Sequence, residues 1–87
     1  MNHQSLAEIF KALGDKNRVS IIVLLKTGEM HANDLLAHLD ISQPTLSHHM
    51  HSLSEAGVVI PHKEGIFVRY SLNEEVRLAI EKFITME

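Results

Sequence analysis

The chain has 87 residues, of which 45% are hydrophobic, with a formal net charge of −3 and no cysteine. We expect residues 1–87 to form one small domain that gains from dimerisation, because so short a chain buries only about 60% of its unfolded surface. The missing cysteines exclude disulfides, zinc–thiolate sites and thiol nucleophiles. No stretch approaches the ~18 apolar residues of a membrane span and the first residues do not resemble a signal peptide, so cytoplasm is the expected location.

The charge balance leaves nucleic-acid binding open. Eight Lys and Arg residues against eleven Asp and Glu residues speak against it, because nucleic-acid-binding proteins are usually basic. Two features favour it: no acidic residue lies between Gln43 and Ser54, and histidine, present seven times, is protonated more readily beside a phosphate. An enzyme is not predicted, because the sequence has no glycine-rich phosphate loop and no Ser-His-Asp set that the fold would assemble.

Two helices are predicted at the N-terminal end. The first has apolar residues at i, i+3, i+4 and i+7, which are Leu6, Ile9, Phe10 and Leu13. This spacing predicts an amphipathic helix over about 4–13. Asp15 can cap a second helix over about 16–27. Because the second helix is apolar on nearly all sides between Val19 and Leu25, we expect it to be the central buried helix.

A helix-turn-helix is predicted over 32–56. Its first helix covers about 32–39, with His31 at the cap position and Asp34 three residues later, a weakened capping box. Its second helix begins after Ser42, whose side-chain oxygen can accept from a free backbone N–H of the first turn. Two short helices joined by a turn of three or four residues are typical of this motif.

The second helix of this motif has two different faces. Its apolar face carries Leu46, Met50 and Leu53. At about 100° per residue the opposite face carries Ser47, His48 and His51, with Gln43 at its edge. These side chains are hydrogen-bond donors and acceptors without formal charge, which suits base edges in a DNA major groove. A solvated helix face is the alternative.

A β-hairpin, or wing, is predicted over 58–72. Val58-Val59-Ile60 is β-branched and predicts a strand, which Pro61 confines to the edge of a sheet. We expect a compact turn at His62–Gly65 and a second strand over Ile66–Leu72.

The last helix is predicted over 74–86, capped by Asn73. Its apolar side carries Val76, Ile80, Phe83 and Ile84. The element order is therefore α-α-α-α-β-β-α. This order predicts a mainly α (α+β) protein with a winged helix-turn-helix fold.

The first and last helices are predicted to form a dimer interface. Each carries an apolar stripe that the helices and the wing of one chain bury only in part, and pairing across a two-fold axis would cover the remainder. A dimer would also present two copies of the Ser42 helix to half-sites about one helical turn apart. Packing of both stripes within one chain is the alternative. The predicted interface residues are Leu6, Ile9, Phe10, Ile80, Phe83 and Ile84.

Four segments resemble the ArsR/SmtB family over almost the whole chain. They are Leu13–Val19, the Ser-Gln-Pro-x-x-Ser-His-His run within Ile41–His49, the Ala56-Gly57 stop, and the hairpin from Gly65 to Leu72. The resemblance implies a dimeric winged-helix repressor that binds a palindromic operator. Gly28–Leu35, together with the Ser-His-His run, looks most like the metal-independent autorepressors related to SdpR.

The chain departs from the metal-sensing members of that family. Where the arsenic and cadmium sensors have Cys-x-Cys, it has His31 and Asn33. Where the zinc sensors have Asp-x-His, this chain has Asn73 and Glu75. The zinc sensors also have a second ligand pair, His-x-x-His/Glu, on the last helix, and Met86 stands at the first position of that pair. We therefore predict no metal site and no cofactor.

The predicted DNA contacts come from the Ser42 helix and the wing. Gln43 can bond adenine bidentately, and Ser47 and His48 can meet several base edges. Thr45 would reach a phosphate or a thymine methyl group, while His51 stays open between backbone contact and solvent. The full set is Ser42, Gln43, Thr45, Ser47, His48, His51, Lys63 and Arg69.

Four further side chains have competing roles. Lys63 at the wing tip is a phosphate or minor-groove candidate, and for Arg69 a salt bridge between strands competes with that role. His49 lies near the apolar side of its helix, where we predict that it packs. Arg18 is predicted to be structural.

We predict a homodimeric repressor of its own promoter that binds double-stranded DNA, with relief by a partner protein or an unknown signal rather than by metal. One alternative is a metal-responsive repressor with a non-standard histidine-rich site, built on His48 and His51 or on His31 and His38. Another is a winged-helix module that binds protein and not DNA, which the net charge of −3 per chain favours.

Overall fold

A computed structural model describes residues 1–85 and contains helices and strands in the predicted order. The helices are α1 (His3–Leu13), α2 (Lys16–Leu25), α3 (Ala32–Ala37), α4 (Gln43–Glu55) and α5 (Glu74–Thr85). The strands are β1 (Met30–His31), β2 (Val59–Glu64) and β3 (Phe67–Leu72). The winged helix-turn-helix is confirmed, and β1 is an additional strand. Within residues 1–85 there is no helix with the length and apolar character that crossing a membrane needs.

Three of the predicted helix caps are confirmed. Asp15 accepts hydrogen bonds from the backbone N–H groups of Asn17 and Arg18 at 2.8 and 3.2 Å. The bond from Arg18 is the main reason why the pKa of the Asp15 carboxyl lies below its usual value. Asn73 accepts from the backbone N–H groups of Glu75 and Val76 in the same way, and Ser42 caps α4. Each cap is a contact within three residues, which is why local sequence predicts it.

The core lies where α1, α2, α3 and α4 meet the sheet. Ile21, Leu35 and Leu53 are fully buried there. Leu46 and Met50 join Leu53 on the buried face of α4, as the sequence pattern predicts. Burial of one face of α4 fixes which of its side chains remain exposed.

The expectation that α2 is the central buried helix holds for one of its sides only. It buries Ile21 and Leu25, whereas Val19 and Val23 are 49% and 56% exposed. A chain of this length has too few elements to cover both sides of a helix. Because α2 has apolar residues on nearly all of its sides, its sequence did not predict which side would pack against the core.

The sheet is antiparallel with the strand order β1-β3-β2, so β2 is an edge strand, as Pro61 requires. The short strand β1 was not predicted. It places Met30 opposite Tyr70 and His31 opposite Arg69. Two residues are too few to show a strand period, so only the pairing with β3 reveals β1.

The predicted turn at His62–Gly65 is wrong. β2 continues to Glu64 and β3 starts at Phe67, which leaves a two-residue turn, Gly65-Ile66. Gly65 has φ +65°, the left-handed backbone that such short hairpin turns require. Lys63 therefore lies in the strand opposite Val68, and Ile66 occupies the tip.

The last helix packs on its own chain mainly at its start. Val76 is its buried residue and Ile80 is half-buried against the core. Phe83 and Ile84 remain exposed on the side predicted to be apolar. The predicted end of the helix at Met86 lies outside the described residues.

Candidate nucleic-acid interface

The start of α4 is held by the side chain of Ser42. Its Oγ accepts a hydrogen bond from the backbone N–H of Thr45 at 3.3 Å and donates one to Thr45 Oγ1 at 2.9 Å. Pro44 lies in the first turn of the helix, where a missing N–H costs no intrahelical bond. The Ser42 hydroxyl is thus engaged in capping, and Thr45 is positioned by it.

Replacing Ser42 with alanine should lower the free energy of unfolding by about 1 kcal/mol, because the cap is lost. Urea denaturation followed by circular dichroism measures this. Ser47→Ala on the same helix is the matched control and should stay within ~0.5 kcal/mol of the natural protein, since Ser47 is exposed. Equal effects of the two changes would show that the Ser42 hydroxyl does not stabilise α4.

The outer face of α4 is an exposed, uncharged stripe. Gln43, Ser47 and His48 are exposed on it, as the sequence predicts. Their three side chains together offer amide, hydroxyl and imidazole groups, which match the donors and acceptors on base edges. We call Gln43, Ser47 and His48 the reading stripe.

The reading stripe ends near His51. Its Nε2 lies 3.7 Å from Glu55 Oε1 one turn later, and both side chains are mostly exposed. A carboxylate at this place would repel a phosphate. The structure therefore gives His51 an acidic neighbour, which favours solvent over a backbone contact.

His49 points to the interior, as predicted. It is 7% exposed, and its Nδ1 accepts a hydrogen bond from Arg18 Nε at 3.0 Å. Arg18 Nη1 also donates to the carbonyl oxygen of Ala12 at 3.2 Å. Since Nδ1 is an acceptor, the proton of the neutral ring lies on Nε2. Arg18 is structural, as predicted, and links the end of α1 to the inner face of α4.

The segment that carries the reading stripe matches a known protein family. The family model described as "Bacterial regulatory protein, arsR family" matches residues 15–60, more than half of the chain. The chain belongs to the ArsR family. The matched range runs from the Asp15 cap through the helix-turn-helix into β2, so it contains the reading stripe, and it confirms the resemblance drawn from the sequence.

Individual ArsR relatives show the same likeness. The transcriptional repressor SdpR of Bacillus subtilis is 46% identical over 68 residues, which cover 78% of this chain and 76% of SdpR. An arsenical resistance operon repressor of Staphylococcus xylosus is 47% identical over 75 residues, covering 86% and 72%. The crystal structure of an ArsR family transcriptional regulator superposes with a TM-score of 0.88 at 26% identity, covering 99% of this chain and 89% of that one. This ArsR chain is accordingly a winged-helix transcriptional regulator, a class of proteins that are not enzymes.

Two wing residues of the ArsR chain differ in their surroundings. Lys63 is exposed on the edge strand. Arg69 forms ion pairs with Glu29 at 2.7 Å and Glu64 at 3.5 Å, so the structure favours the salt-bridge alternative over a DNA contact for Arg69. Lys63 is the better placed of the two for a phosphate.

Acidic and histidine side chains also meet near the wing. His31 Nε2 lies 3.1 Å from Glu64 Oε1, and its Nδ1 lies 3.8 Å from Asp34 Oδ2. No group of three His, Asp or Glu side chains in residues 1–85 has an arrangement that could hold a metal ion. His38, the other histidine of the predicted alternative pair, bonds through Nδ1 to the carbonyl oxygen of Asp34 at 2.9 Å.

Sequence reasoning missed the partners of Arg18 and Arg69. Arg18 and His49 are 31 positions apart, and Arg69 and Glu29 are 40 positions apart. No periodicity relates residues at such distances. For Arg18 and His49 the sequence did contain a signal: Arg18 follows the Asp15 cap, and His49 lies near the apolar face of α4. This signal predicts a structural role for each residue but does not predict the bond between them.

Proposed function

We propose that this ArsR protein is a homodimeric transcriptional repressor that binds a palindromic operator through α4, in its own promoter and without metal. The reading stripe is the observation that carries this proposal. Its side chains are exposed and include no Lys, Arg, Asp or Glu, while the buried face of α4 and the Arg18–His49 bond hold the helix in one orientation. A fixed helix with uncharged polar groups suits direct reading of bases.

The dimer proposal is supported by apolar surface on α1 and α5. The rings of Phe10 and Phe83 pack at a centroid distance of 5.6 Å and are still 36% and 42% exposed. Ile84 on the same side of α5 is also exposed. Leu6 and Ile9 are already buried within the single chain. The proposed dimer contact is therefore formed mainly by the exposed residues Phe10, Phe83 and Ile84.

Metal independence is supported by the residues at the positions where family members bind metal. The chain has no cysteine. The side-chain oxygen of Asn73 accepts the backbone hydrogen bonds that cap α5. It is therefore occupied by the cap and is not placed to bind a metal ion. Relief of repression then needs a partner protein or another signal.

Gel-shift titration against the DNA upstream of the chain's own gene tests the proposal. We expect a retarded complex at low micromolar protein that is lost at high salt and is absent with random DNA. Zinc or nickel in parallel lanes should leave the complex unchanged, whereas coupling between metal and DNA binding would favour the metal-responsive alternative. Failure to bind the upstream DNA would contradict the proposal and favour the protein-binding module.

His48→Ala and Lys63→Ala should weaken DNA binding in different ways. Loss of a base contact at His48 should cost about 1–3 kcal/mol on the operator and relax sequence preference. Loss of a phosphate contact at Lys63 should weaken all sequences about equally and reduce the salt slope by about 1. Fluorescence anisotropy on operator and random duplexes at several salt concentrations separates the two. The assignment is wrong if both variants lose cognate and random binding equally.

A further inference from the structure

His31 lies where the sheet meets the helix-turn-helix. It is the last residue of β1, where it pairs with Arg69 of β3, and it is also the N-cap residue of α3. Its backbone N–H donates a hydrogen bond to Asp34 Oδ2 at 3.3 Å. One residue therefore belongs both to the sheet that contains the wing and to the start of the helix-turn-helix.

The side chain of His31 contacts both strands of the hairpin. Its Nε2 lies 3.1 Å from Glu64 Oε1 on β2, and because a carboxylate only accepts hydrogen bonds, Nε2 carries the proton. Its ring meets the ring of Phe67 on β3 edge-on, with centroids 6.4 Å apart and planes at 85°. Glu64 and Phe67 are the pair next to the turn, so His31 holds the hairpin near its far end.

An arginine on β3 holds the same carboxylate. Arg69 Nη2 lies 3.5 Å from Glu64 Oε2, and Arg69 Nη1 donates to Glu29 Oε2 at 2.7 Å. Glu29 directly precedes β1. The side chains of His31 and Arg69 thus converge on Glu64 from two directions. We call Glu29, His31, Glu64 and Arg69 the wing clasp.

The wing clasp is too exposed to contribute much to the free energy of unfolding. The side chains of His31 and Glu64 are 44% and 46% exposed, and ion pairs between exposed side chains stabilise a fold only weakly. Its contacts nevertheless join β2 and β3 to the residue that starts α3. The wing clasp is therefore suited to fixing the direction in which the wing points.

We propose that His31 is a positioning residue for DNA binding, which sets the orientation of the wing relative to α3 and α4. This inference rests on the proposed function, in which Lys63 contacts a phosphate while the reading stripe contacts bases. Lys63 directly precedes Glu64 in β2, so the bond from His31 also fixes Lys63. Two contacts that form together bind more tightly when their separation is fixed beforehand, because less freedom is lost on binding.

Distances between spin labels test the positioning without DNA. Because the chain has no cysteine, labels on Ile66→Cys at the tip and Ser20→Cys on α2, both exposed positions, report the distance from the wing to the helices. Dilution with unlabelled protein restricts the measurement to distances within one chain. We expect a narrow distribution with His31 and with His31→Gln, whose side-chain N–H can still donate to Glu64, and a broad one with His31→Ala.

DNA titrations test the consequence for binding, on a duplex that the natural protein selects from a random pool. His31→Ala should bind this duplex about tenfold more weakly, whereas His31→Gln should stay within about twofold of the natural protein. Lys63→Ala added to His31→Ala should cause little further loss, because Lys63 is then no longer held at the phosphate.

His38→Ala is the matched control. The ring of His38 bonds to the carbonyl oxygen of Asp34 within the same helix at 2.9 Å. Its removal should change neither the distance distribution nor the affinity for DNA. The midpoint of urea denaturation should be nearly the same for His31→Ala, His38→Ala and the natural protein, since the wing clasp is exposed.

The outcomes separate this inference from the proposed function. An unchanged distance distribution in His31→Ala overturns the inference, whatever the DNA titrations give. A broad distribution with unchanged affinity also overturns it and leaves DNA binding intact. A large fall in the urea midpoint of His31→Ala would mean that His31 serves folding and not positioning. If the natural protein selects no duplex, the proposed function fails and the inference falls with it.

Discussion

Phe83→Asp should convert the protein to a monomer and lower its affinity for a duplex with two half-sites about 100-fold. Dimerisation would bury a carboxylate at position 83 in the apolar face formed by Phe10 and Phe83. Burying an unpaired charge has a large free-energy cost, so the dimer would be strongly destabilised. A monomer then loses the effective concentration that couples the two half-sites. Sedimentation equilibrium measures the mass, and anisotropy with one and two half-sites measures the affinity.

Thr85→Asp is the control for this change. It adds the same charge to α5, and at 100° per residue position 85 lies on the side of the helix opposite position 76, away from position 83. Thr85→Asp should remain dimeric and bind the two-half-site duplex normally. A Phe83→Asp protein that stays dimeric would show that α1 and α5 do not form the interface.

Arg18→Ala should lower the free energy of unfolding by about 2–3 kcal/mol, because it removes charge-assisted hydrogen bonds and leaves two polar groups unpaired. These groups are Nδ1 of the buried His49 and the carbonyl oxygen of Ala12. The change also frees the inner face of α4 from α1, so DNA affinity should fall further than stability alone explains. Urea denaturation and operator titration at saturating folded protein measure the two effects.

A double-mutant cycle with His49→Ala isolates the bond. Arg18→Ala and His49→Ala should be coupled by about 1–2 kcal/mol, since the two residues are in direct contact. Lys16→Ala, an exposed basic residue at the start of the same helix, should change stability by less than ~0.5 kcal/mol. Additive effects of the pair would mean that the Arg18–His49 bond contributes nothing to stability.

Local features of this chain were predictable because they depend on neighbours in sequence. The caps at Asp15, Ser42 and Asn73 each need a side-chain oxygen and an N–H two or three residues later. The reading stripe follows in the same way from the period of α4, since Leu46 and Met50 had to face inward.

The wing shows where local rules conflict. The turn predicted at His62–Gly65 would have ended the strand at Pro61, yet Pro61 is tolerated on the edge strand β2, which continues to Glu64. The shift moved Lys63 into the strand and Ile66 to the tip. Only the register with β3 decides this.

By itself the sequence determined the order of the five helices and of the two wing strands, the helix caps, the exposed stripe of α4 and the family, because periodicity, capping and motif spacing act over a few residues. The tertiary structure alone decided which side of α2 is covered, the strand β1, the tip of the wing, and the partners of Arg18 and Arg69. The bonding partners of Arg18 and Arg69, for example, lie 31 and 40 positions away in the chain. Such contacts form only when the packed core brings distant segments together, and no repeat within the sequence encodes them.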